Sequence, residues 1–120
     1  MRIVVLMIEV EQPEGLSARK LVLETAKHNV ITAYNGEQGI ELLRRFPNVD
    51  ATVVHRELRD MPVKDVIARI KEISPEMPVI LLSPFKEAAP EGADYVISSH
   101  EPQLILMLFE SVFGADVTND

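Results

Sequence analysis

His55 closes a short apolar run, D-A-T-V-V, at residues 50–54. Such a run reads as a buried strand that delivers one side chain to the carboxyl edge of a sheet, where open parallel sheets place ligands and chemistry. Glu9 and Glu11 follow a first apolar run, and Ser83 follows another (L-L-S-P-F). Glu9, His55 and Ser83 are the residue types of a Ser-His-Glu hydrolase, a remote alternative. No G-x-S-x-G elbow surrounds Ser83, and Pro84 lacks the N–H that often helps to build an oxyanion hole. His28, His55 and His100 show no pair at metal-ligand spacing, so a zinc site is not expected. No glycine-rich phosphate loop follows the first run, which argues against nucleotide binding. No cofactor or metal is expected.

The elements that position these residues alternate along the chain. Residues 3–8 (I-V-V-L-M-I) form a continuous apolar run rich in β-branched residues, the signature of a central parallel strand. Apolar residues at helical spacing predict a helix over residues 16–27, after the Pro13 and Gly15 loop. A short strand at 30–33 turns at Asn35-Gly36 into a helix over 37–46, with Arg44 and Arg45 in its last turn, favourable to the helix dipole. After the strand at 51–54 and a loop at 56–62, Val63, Val66, Ile67, Ile70 and Ile73 predict a helix over 63–73. Strands follow at 79–82 and 95–97, and Pro102 suits the first turn of a closing helix over 103–113. Strands alternating with helices imply an α/β parallel sheet with right-handed crossovers.

Two stretches break that rhythm. Residues 84–91 hold two prolines and leave room for one or two helical turns at most, so a shortened fourth crossover helix is expected. The closing helix (L-I-L-M-L-F-E-S-V-F) has only Glu110 and Ser111 as polar positions, and a helix apolar nearly all round is buried on more than one side.

At 120 residues the chain is long enough for one core without staples. Residues 1–114 are read as the domain and 115–120 as a polar tail. Cysteine is absent, so no disulfide framework exists, in keeping with a reducing cytoplasm. A net charge of −7 and a pI near 4.9 argue against direct contact with nucleic acid or an anionic membrane, both of which need a basic patch. No apolar run approaches the roughly 20 residues of a spanning helix. Met1-Arg2-Ile3 leads straight into strand-like sequence, so no signal peptide is expected and the cytoplasm is the expected location.

With these elements placed, the chain resembles the receiver domain of two-component response regulators over nearly its whole length. V-L-M-I-E-V-E precedes Pro13 and a helix. T-A-Y-N-G-E-Q-G-I-E-L-L then falls where that family has an alanine, a glycine and the next helix. D-A-T-V-V-H-R-E-L-R-D-M-P covers the strand and loop that carry the family's phosphoacceptor. P-V-I-L-L-S and G-A-D-Y-V-I-S fit its fourth and fifth strands. The resemblance implies a flavodoxin-like, doubly wound five-stranded parallel sheet of order 2-1-3-4-5.

It also implies a degenerate site, a pseudo-receiver. The acidic pair that holds Mg²⁺ falls on Glu9 and Val10, with Glu11 nearby, and the phosphoacceptor falls on His55. The hydroxyl position matches Ser83, the lysine position falls on Ser98, and the aromatic switch position matches Tyr95. The proline and glycine usual after the third strand appear as Arg59 and Val63. Phosphoryl acceptance needs a carboxylate nucleophile, a divalent ion and a cation. An imidazole forms no acyl phosphate and is a poor Mg²⁺ ligand.

The expected function is therefore that of a non-enzymatic signalling module, not phosphorylated, that recognises a protein partner such as a sensor kinase or an output component. The alternative is a phosphorylatable regulator that uses a displaced acid, Asp60 or Glu57. A homodimer is expected through the fourth strand, fifth strand and closing helix, with Tyr95, Leu106, Phe109 and Phe113 as interaction residues.

Overall fold

The computed structural model describes residues 2–10, 18–85 and 89–114. Among these residues nine elements follow in order: β1 (Val4–Ile8), α1 (Ala18–Thr25), β2 (Asn29–Ala33), α2 (Gly36–Arg45), β3 (Ala51–His55), α3 (Val63–Ile73), β4 (Val79–Ser83), β5 (Tyr95–Ser98) and α4 (Leu104–Phe113). All strand pairs are parallel, and the sheet order is β2-β1-β3-β4-β5. That is the expected α/β sheet with its order reversal at β1 and β3.

The continuous apolar runs become strands buried on both faces. Along β1, Leu6 and Ile8 join one core cluster with Ile40, Leu43, Val66, Ile67 and Ile70, so α2 and α3 cover that face. Val5 and Met7 join a second cluster with Leu23, Ile105 and Phe109, so α1 and α4 cover the other. The two-residue alternation of a strand divides one sequence run between two cores. α2 lies unusually close to the sheet: a Cβ at Gly39 would collide with Ile8 Cδ1.

One expectation needs correction, and another falls partly outside the described residues. Between β4 and β5 the described residues form bends and a turn, and the centre of the expected short fourth-crossover helix, residues 86–88, lies outside the described set. The closing helix is not buried on several sides. Of α4 only Ile105 and Phe109 are buried, and Met107 is 63% exposed. With almost no polar residue to set its phase, an apolar helix does not announce which stripe faces inward. As expected, His55 ends β3, where it pairs in register with Leu82. The predicted start of the first helix and the 115–120 tail fall outside the described residues. No helix among the described residues is long and apolar enough to cross a membrane.

Candidate functional site

The carboxyl ends of β1, β3, β4 and β5 bring the predicted residues to one edge. Glu9 follows β1, is 1% exposed, and donates its N–H to Ala33 O at 2.8 Å. Val10 lines a small cleft of about 170 Å³ with Tyr34, Asn35, Arg59 and Asp60. Glu11 lies outside the described residues. Ser83 and Ser98 are register partners at the ends of β4 and β5.

His55, Ser83 and Ser98 share one local device. The Glu57 N–H donates to His55 Nδ1 at 3.1 Å, the Phe85 N–H to Ser83 Oγ at 3.0 Å, and the His100 N–H to Ser98 Oγ at 3.2 Å. Each strand-end side chain thus accepts the backbone N–H two residues on, closing the turn that leaves the sheet. In His55 this commits Nδ1 as an acceptor, which in a neutral ring places the proton on Nε2. These side chains bind their own loops.

The cation beside His55 is also engaged. The Arg56 N–H donates to Leu82 O at 2.8 Å. The Arg56 guanidinium reaches the β4–β5 connection, with Nη1 at 3.4 Å from Ala89 O and 3.5 Å from Glu91 Oε1, and Cζ 5.9 Å from the Phe85 ring centre. Asp60, an alternative acceptor, accepts the N–H groups of Gly36 at 2.8 Å and Glu37 at 2.9 Å. Slight burial pushes its carboxyl up, but the backbone N–H groups of Gly36, Glu37, Asp60 and Met61 outweigh that and hold it below the usual aspartate value. Glu57, the other alternative acid, is exposed on the same loop.

The remaining candidates scatter. His28 sits just before β2, 3% exposed, with Nδ1 accepting from Ile3 N–H at 3.2 Å and its ring edge-on to Phe109. It therefore lies at the opposite end of the parallel sheet from His55, and His100 lies exposed beyond β5. Among the described residues no group of three His, Cys, Asp or Glu could hold a metal ion. Tyr95 is partly exposed at the start of β5, and Leu106 and Phe113 are half-buried. Phe109 is fully buried beneath α4 and cannot contact a partner; the outward side chain is Met107. Sequence reasoning missed Arg56 and the helix-capping role of Asp60, because neither partner lies within one local motif.

Comparisons with known proteins agree with this architecture. No protein-family model matches the chain. It is 35% identical over 80 residues to the response regulator GtcR of Aneurinibacillus migulanus, a match covering 65% of this chain and 31% of that protein. The chain thus spans about a third of the curated relative that it matches. Among solved structures, the response regulator receiver domain protein of Clostridium thermocellum superposes with a TM-score of 0.80 at 22% identity, over 95% of this chain and 96% of that one. CheY in the CheX–CheY–BeF₃–Mg²⁺ complex of Borrelia burgdorferi superposes at 0.78 and 19% identity, over 92% and 89%. The fold is the CheY-like flavodoxin fold of response regulator receiver domains.

Proposed function

We propose that this chain is a receiver-type module of a two-component or phosphorelay system that acts by protein–protein recognition in the cytoplasm and takes up no phosphoryl group at the end of β3. The observation that carries this reading is His55 at the position where the resemblance expects the acceptor carboxylate, with Nδ1 tied to the Glu57 N–H. An acceptor site needs an ionised carboxylate free to attack and oxygens for a divalent ion. Among the described residues the edge offers an imidazole, the carboxylate Glu9, and two hydroxyls that close their own turns. Asp60 is a poor substitute acceptor, because its carboxylate is already bonded to the start of α2.

The test is incubation with acetyl phosphate and Mg²⁺ followed by intact-mass measurement. No phosphoryl adduct is expected. A stoichiometric adduct that hydroxylamine removes would overturn the reading, and its position in a peptide map would tell His55 from Asp60 and Glu57.

Recognition then falls to surface chemistry. The Borrelia protein CheY is seen bound to CheX, and a sensor kinase or output component is the corresponding kind of partner here. The same reading includes a homodimer through the β4, β5 and α4 face. Its support is the apolar excess of α4, where Met107 is largely exposed and Leu104, Leu106 and Leu108 are only half-buried.

A further inference from the structure

We propose that the Asp60 carboxylate is a clamp that joins the β3–α3 loop to the N-terminus of α2, and that it thereby sets the conformation of the loop segment carrying Arg56 and Glu57 beside His55. This goes beyond the receiver reading and does not depend on it.

The first four N–H groups of a helix have no partner within the helix. In α2 the orphan N–H groups of Gly36, Glu37 and Gln38 are satisfied from two sources. Asn35, the residue before the helix, accepts the Gln38 N–H on Oδ1 at 2.7 Å, while its carbonyl oxygen takes the first regular helical bond from the Gly39 N–H at 3.1 Å. The other two, Gly36 and Glu37, donate to the two oxygens of Asp60, 24 and 23 residues away. A helix cap is ordinarily local. Here two of these three bonds come from another loop, so the cap doubles as a cross-link. The backbone packing matches: a Cβ at Gly36 would lie 2.7 Å from Val66 Cγ2 and 2.8 Å from Met61 Cγ. The helix start is thus pressed directly against the residue after Asp60 and against α3.

The other end of the same loop is held too. Glu57 N–H is on His55 Nδ1, Arg56 N–H is on Leu82 O, and the Arg56 side chain reaches Ala89 and Glu91. A loop fixed at both ends over so few residues transmits a change at one end to the other. The ionised carboxylate suits two N–H donors and a helix N-terminus at once. A protonated or amidated group turns a donor toward one of those N–H groups and loses a bond. The ionisable and charged groups around Asp60 are Tyr34 and Arg59, lining the same cleft, and Glu37 on the first turn of α2. An aspartate carboxylate is ionised at neutral pH, so the clamp is closed there, and the backbone N–H groups that hold the carboxyl below its ordinary value extend the closed state to lower pH. The stabilisation is complete above the ordinary aspartate value and is lost as pH falls through the lower folded value.

The experiment is NMR on the full chain, with no partner required. In the unaltered protein, the Gly36, Glu37 and Glu57 amide shifts are followed together with the Asp60 side-chain carbon through an acid titration. All four are expected to share one midpoint below the ordinary aspartate range. In Asp60→Asn at neutral pH, exchange at the Gly36 and Glu37 amides is expected to quicken about tenfold or more, as for loss of one charge-assisted bond. The His55 Nδ1 shift is expected to move with the Glu57 amide. If Gly36 and Glu37 respond while Glu57 and His55 stay unchanged, Asp60 is a helix cap only and the coupling is refuted. If none responds, the clamp itself is refuted. The titration of the unaltered chain decides the matter even where Asp60→Asn folds poorly.

Discussion

The proposed homodimer should be strongly weakened by a single carboxylate placed on α4. Met107 projects 63% of its surface to solvent from the middle of the helix, flanked by the half-buried Leu104 and Leu108. Burying a Met side chain completely is worth about 1.5–3 kcal/mol, so covering its exposed two thirds contributes about 1–2 kcal/mol per copy. In a two-fold contact both copies gain it, for about 2–4 kcal/mol in all. Met107→Glu removes that gain and sets two carboxylates against each other in a chain already at −7. At 1.4 kcal/mol per decade, the dissociation constant should rise by about 30-fold to 1000-fold. Sedimentation velocity over a concentration series, for the unaltered chain and for Met107→Glu, reads this directly. Thermal denaturation of both controls for folding, since an exposed position should cost little stability. A chain that stays monomeric at tens of micromolar, or a Met107→Glu variant that associates as before, would refute α4 as the contact. Phe109→Glu is the wrong test, because it charges the core.

Other substitutions probe the site and its supports. His55→Asp should fold, since a carboxylate oxygen can accept the Glu57 N–H in place of Nδ1, yet it should show no acetyl-phosphate adduct in intact-mass spectra. The triple variant with Val10→Asp and Ser98→Lys, which supplies the second acid and the cation, should show one. Asp94→Ala should cost about 2–3 kcal/mol in urea denaturation, because Asp94 Oδ2 accepts both the Val79 N–H at 2.8 Å and Lys71 Nζ at 2.6 Å. Lys71→Met should cost under about 1 kcal/mol, since that ion pair is partly exposed and screened; equal losses would show the ion pair to be the main support. His28→Leu keeps the apolar volume beside Phe109 but leaves the buried Ile3 N–H without its acceptor, and should lower stability by about 1–3 kcal/mol. An unchanged urea midpoint would count against that bond.

Much of the fold could be read from periodicity because it is a local property. β1, β3 and β4 are continuous apolar runs, and α3 shows Val63, Val66, Ile67 and Ile70 at helical spacing, all four buried. The positions of His55, Ser83 and Ser98 at strand ends were likewise readable, since strand ends define the chemical edge. What those side chains bond to was not readable. Asp60 reaches 24 residues back and Arg56 reaches 35 forward, across crossovers whose closure depends on the packed sheet. Nor was the inward stripe of α4, because Leu106, Met107 and Phe109 carry the same hydrophobic signal and only packing separates them.

The turn-closing bonds bear on how a strand end can lose one chemistry without losing its structure. At the end of β3 the backbone needs an acceptor for the Glu57 N–H, and a carboxylate, an imidazole nitrogen or a hydroxyl can each supply it. Only the carboxylate also serves as a nucleophile toward phosphorus and as an oxygen ligand for Mg²⁺. On the proposed reading, His55 keeps the turn-closing bond at the end of β3 without offering a carboxylate, and Ser98 likewise closes its turn at the end of β5 through a neutral hydroxyl. The two apolar clusters beneath the edge are built from other residues, so the core does not depend on which acceptor closes each turn. What the edge retains is shape: turns closed by their own strand ends, a loop held to α2 by Asp60, and Arg56 drawn over to Glu91. A surface fixed in this way suits recognition by a partner, whose binding then meets little of the ordering cost that a mobile loop would impose.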